Sequence, residues 1–140
     1  MWLLTDALAM IGDLRRNAPL IDIWGMVLNA PQLVGGLYFI DSMTGELVLA
    51  GVLASLVIAS QIHKRRPFSR LAGACHIVWL PLIPLLGASI AQSNRGRAYM
   101  VWASYVAITM SISVILDVYD LYRFFFTDDK TYATFGKPVS

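Results

Sequence analysis

Apolar residues run in long blocks along this chain, and the length of each block sorts it. Residues 44–62 hold a single charge, Glu46 near the start, and match the roughly 20 apolar residues that a helix needs to cross a bilayer. Residues 71–91 form a second block, bent by Pro81 and Pro84, and residues 98–121 a third. Prolines are tolerated in such helices because neighbours supply the missing hydrogen bonds. Residues 19–40 are apolar but interrupted by Asp22, Asn29, Pro31, Gln32 and the pair Gly35 and Gly36, a pattern of a kinked crossing or a re-entrant element. Residues 3–14 place Leu3, Leu4, Ala7, Leu8, Met10, Ile11 and Leu14 on one helical face, which predicts a short amphipathic helix lying in the membrane interface.

The breaks between blocks carry the charge. The run His63, Lys64, Arg65, Arg66, Pro67, Phe68, Ser69, Arg70 stops a helix at its proline and reads as a cytoplasmic loop. With four crossings and both termini inside, Arg15, Arg16, Arg123, Lys130 and Lys137 join it, and only Arg95 and Arg97 fall outside. If residues 19–40 did not cross, Arg15 and Arg16 would move outside, so the charge asymmetry favours four crossings. The expected fold is therefore an all-α membrane protein, a four-helix bundle with an N-terminal interfacial helix. Tyr119, Tyr122, Phe124, Phe125 and Phe126 mark an aromatic exit, and residues 127–140 are expected to be a polar tail.

Composition agrees with this pattern and narrows the function. Of the 140 residues 57% are hydrophobic and 14% charged, against about 25% charged in a soluble domain. A net charge of +2, clustered beside apolar runs, argues against a nucleic-acid partner and for membrane lipids and other membrane subunits or a second copy. Helical spans point to a cytoplasmic (inner) membrane rather than an outer-membrane barrel. The start of the chain lacks a basic n-region and a small-residue cleavage site, so no cleaved signal peptide is expected. Cys75, the single cysteine, lies in an apolar block and excludes a disulfide framework.

Two small-residue ridges, Gly51, Ser55 and Ala59 on the second span and Ala103, Ala107 and Ser111 on the fourth, are candidate helix-packing faces, within the chain or against another. The polar residues within spans converge at one depth. Asp22, His63, His76, Asp117, Asp120 and Arg123 all fall near the cytoplasmic ends of their helices, with Asp117, Asp120 and Arg123 a turn apart on one face.

Three readings fit this cluster. The groups are solvated at the interface, with Asp120 paired to Arg123. Alternatively, Asp22 or Asp117 with His76 forms a proton or ion path, helped by a cavity at the interrupted first span, although Ser89, Ser104 and Thr109 are about all the polar groups of the outer half. In the last, His76, Asp117, Asp120 and Asp22 hold a divalent metal for lipid-headgroup chemistry. No cofactor is required by the sequence, and a haem between His63 and His76 is disfavoured because His63 is expected to reach the headgroups. There is no Gly-rich phosphate loop, no G-x-S-x-G elbow and no H-E-x-x-H, so catalysis has no sequence signature here. The expected role is a non-catalytic accessory or assembly subunit, or a homo-oligomer, acting by lateral association. The alternatives are a small oligomeric channel or ion-coupled transporter, then a metal-dependent lipid-headgroup enzyme.

Overall fold

The computed structural model describes residues 2–92 and 94–134. The end of the expected tail, residues 135–140 with Lys137, and Ser93 of the turn before the last block lie outside these. The described residues are helical, with no strand: α1 (Trp2–Asn17), α2 (Pro19–Tyr38), α3 (Met43–Arg65), a 3₁₀ segment (Arg70–Trp79), α4 (Leu82–Gln92) and α5 (Arg97–Phe126). Three helices, α2, α3 and α5, are long and apolar enough to cross a membrane; the 3₁₀ segment and α4, bent by 40°, make a fourth if they form one broken span.

Boundaries follow local chemistry. Ser42 caps α3, its hydroxyl accepting from Gly45 N at 3.0 Å, and Pro67 follows its end at Arg65. Gly96, at φ 85°, turns the chain into α5. Instead of breaking, α2 runs continuously through Pro31. A proline has no N–H for the carbonyl four residues back, here Val27, and Tyr105 of α5 supplies the donor: its hydroxyl reaches Val27 O at 2.9 Å. Trp102, one turn earlier, donates to Pro31 O at 3.0 Å. Tyr105→Phe should therefore cost about 0.5–1.5 kcal/mol by removing the donor to Val27 O. In Pro31→Ala, where the helix regains its own donor, the same change should cost less than half as much. Equal costs in the two backgrounds, measured by denaturant titration in detergent, would disprove this account.

The core is built from Leu28, Val48, Trp79, Leu82, Leu86, Tyr99, Trp102, Ala103, Val106 and Met110, contributed by every element but α1. Large apolar side chains on the other faces stay exposed, among them Leu20, Ile23, Val34 and Leu37 of α2 and Val101, Ile108, Ile112 and Ile115 of α5. Such outward faces suit hydrocarbon.

Helix α1 lies across the end of α3 rather than along it. Asp6 meets Gln61 and Lys64, both at 3.0 Å, while Asp13, two turns further on, approaches His63 at 3.5 Å, so both carboxylates reach a single turn of α3. The Gln61 hydrogen bond and the Lys64 ammonium hold the Asp6 carboxyl below its ordinary pKa. Only Met10 of α1 is buried; Leu4 and Leu8 of its expected apolar face are exposed.

Candidate functional site

The third apolar block departs most from expectation, because its first half is a ten-residue 3₁₀ helix rather than a bent α-helix. Three residues per turn place positions three apart in line. Arg70, Gly73, His76 and Trp79 have that spacing, whereas an α-helix, turning about 100° per residue, would point Trp79 roughly opposite to Arg70. The ladder meets α5 running the other way. Arg70 reaches Asp120 at 2.5 Å, and a Cβ on Gly73 would stand 3.2 Å from Cα of Asp117. His76 Nδ1 lies 2.7 Å from Asp117 Oδ2 and 3.3 Å from Ser113 Oγ, and the His76 ring stacks on Trp79 with centroids 3.8 Å apart. Glycine at 73 lets the 3₁₀ backbone lie this close to α5, since a Cβ there would press on Asp117 and push it away by a few tenths of an ångström.

The contacts on Nδ1 define what this pair can do. With Asp117 ionised and the ring neutral, Nδ1 donates its proton to the carboxylate and Nε2 presents a lone pair. Nε2 makes no hydrogen bond among the described residues. A Ser-His-Asp relay needs the serine on the nitrogen opposite the aspartate. Ser113 sits on the same nitrogen as Asp117, so it supports the ring and is not an activated nucleophile.

Beside this pair is a cavity of about 380 Å³ walled by α1, α2, α3, the 3₁₀ segment and α5. Its surface is mostly apolar, from residues such as Leu14, Ile21, Trp24, Leu28, Leu56 and Leu116. Its polar and charged lining includes His76, Asp117, Ser113, Asn29, His63, Asp120 and Arg66. A largely apolar cavity with a few convergent polar groups is the ordinary form of a small-molecule site.

No protein-family model, curated protein or solved structure matches this chain.

The expected polar cluster divides into three. His76 and Asp117 form the pair on the cavity wall. Asp120 also borders the cavity, but its partners are Arg70 and, at 2.5 Å, the hydroxyl of Tyr132. The expected Asp120 to Arg123 pair is replaced: Arg123 pairs with Asp129. Asp22, at the start of α2, is bound by Arg15 at 3.1 Å and stands apart from the cavity lining. Among the described residues no three His, Cys, Asp or Glu side chains converge as a metal site. His63 is buried and stacks edge-on against Phe68 rather than reaching outward.

Five of the six helix-packing candidates pack within the chain, and Ser111 satisfies its hydroxyl on its own helix. Gly51 packs under Leu82, Ser55 and Ala59 border the cavity, Ala103 is fully buried, Ala107 packs on the core, and the Ser111 hydroxyl bonds back to Ala107 O. Of the residues that interrupt α2, Asn29 reaches the cavity, Gly35 and Gly36 admit Trp102 and α3, and Gln32 is fully buried without a partner for either amide atom.

Arg70, Gly73, Ser113 and Tyr132 did not stand out in the sequence. Residues 128–132 return along the loop after α3, with Arg70 N donating to Lys130 O at 3.0 Å and Tyr132 N to Phe68 O at 2.8 Å, so the first part of the expected polar tail is a strap. Tyr132 borders the cavity, and burial with the Asp120 hydrogen bond pushes its phenol pKa up. A detectable signal existed only in register. Arg70, Gly73 and His76, one 3₁₀ turn or about 6 Å apart, run past Asp120, Asp117 and Ser113, which lie about 4.5–6 Å apart on an antiparallel α-helix.

Proposed function

We propose that this chain is a four-span membrane protein with both termini cytoplasmic, whose cavity in the inner half of the bilayer binds an amphipathic small molecule. The cavity takes the apolar part, and His76, oriented by Asp117, meets the polar end. The observation that carries this reading is the His76 and Asp117 pair on the wall of a mostly apolar cavity of about 380 Å³. Topology is supported by charge: Arg15, Arg16, Lys64, Arg65, Arg70 and Lys130 belong to the end where α1 crosses α3, and Arg95 to the other. Exposed Leu4 and Leu8 beside Arg15 and Arg16 suit an interfacial α1 on a four-helix bundle in an inner membrane.

Solvent extraction of the purified protein followed by mass spectrometry tests the proposal. One amphipath at near-stoichiometric amount is expected with the wild type, reduced about tenfold in Ala59→Trp, which fills the cavity. Equal contents in a folded variant would sink the idea.

Lateral association is a second reading, moved to a different surface. Pro84, Gly87, Ala88 and Ala91 of α4 recur at helical spacing and are exposed, and a Cβ on Gly87 would meet nothing within 4 Å. This face would admit another helix closely. A mass by light scattering that stays monomeric, and does not change in Gly87→Leu, would remove it.

A further inference from the structure

The cavity carries unused acceptors. Asn29 Nδ2 donates to Gly25 O at 2.8 Å, which fixes the amide orientation, since a flip would set two oxygens against each other. Its Oδ1 is buried without a partner, and Asn29 borders the cavity. His76, whose Nε2 is a second acceptor when the neutral ring donates Nδ1–H to an ionised Asp117, borders the same space. The carboxylates of Asp117 and Asp120 border it as well. A carboxylate or phosphate there would meet acceptors and negative charge. Arg66 lies on the lining after α3, with its guanidinium 5.8 Å from the Phe124 ring centroid.

We infer that the cavity takes an amphipath whose polar end donates hydrogen bonds, a long-chain alcohol or phenol, recognised by Asn29 Oδ1 and His76 Nε2. This rests on the ligand-binding reading above and names the ligand's class. A buried acceptor left without a donor is costly, whereas a hydroxyl satisfies it. Among apolar chains of similar size, the donor decides which one binds.

The test uses full-length protein in lipid nanodiscs and three probes, 4-dodecylphenol, its methyl ether and dodecanoate, with binding followed by tryptophan fluorescence. The phenol should bind about tenfold more tightly than the ether, as expected for a lost hydrogen bond to a buried acceptor. Dodecanoate should do no better than the ether. Asn29→Leu should reduce the preference for the phenol over the ether severalfold while leaving the ether's affinity in place. An ether or carboxylate that equals the phenol on wild-type protein would overturn the donor rule while leaving the binding site standing. Failure of all three probes would overturn the binding reading and the donor rule with it.

Discussion

Arg70→Met should lower stability by up to about 3–5 kcal/mol, the cost of removing one partner from a buried ion pair, because this pair is largely though not fully buried. Arg70 is 12% exposed and Asp120 15%. The guanidinium also bonds Asp129 at 3.2 Å and sits 4.9 Å from the Tyr132 ring centroid. Its loss leaves Asp120 with only the Tyr132 hydroxyl, while Asp129 keeps Arg123. The strap over the cavity should loosen with it, because Arg70 ties the loop after α3 to both α5 and residues 128–132. Arg70→Met combined with Asp120→Leu should recover much of the loss, since the burden is an uncompensated charge rather than a missing attraction. Denaturant titration of the two singles and the double in detergent measures this. A loss under about 1 kcal/mol for Arg70→Met would mean that the network behaves as a solvated surface pair.

Gly35→Val should cost about 3 kcal/mol or more, at the upper end of overpacking effects. The Trp102 indole occupies the place where a side chain on residue 35 would begin, so either the indole or α2 must move. Moving the indole also breaks its bond to Pro31 O. Trp102→Ala alone opens a cavity, yet the pair Gly35→Val with Trp102→Ala should be less destabilised than the two singles added together, as contacting residues couple. Gly87→Ala provides the control: it lies in a helix with open space around its Cα, and should be neutral or stabilising by up to about 1 kcal/mol. Additive losses at 35 and 102 would show that the close approach is not what glycine is there for.

What the sequence determined by itself was the helical character, the apolar blocks and the places where they stop. These depend on residue type and local spacing: the length of an apolar run, Pro67 after α3, Gly96 before α5, and the hydroxyl of Ser42. The pairing of the polar groups was decided by tertiary structure. Asp120 chose Arg70 over its helical neighbour Arg123 because a facing helix and a returning strap brought a better partner than the next turn did. The partners of His76 depended on a 3₁₀ segment, a form that no residue in 70–79 dictates and that α5 selects by offering Ser113, Asp117 and Asp120 in register. The inward turn of Gly51 and Ala103 likewise came from which helices met, since a small-residue ridge has the same pattern whichever neighbour it receives. The cavity belongs wholly to this second class. It is a space bordered by five elements and a strap, and its walls are adjacent only once the chain has folded.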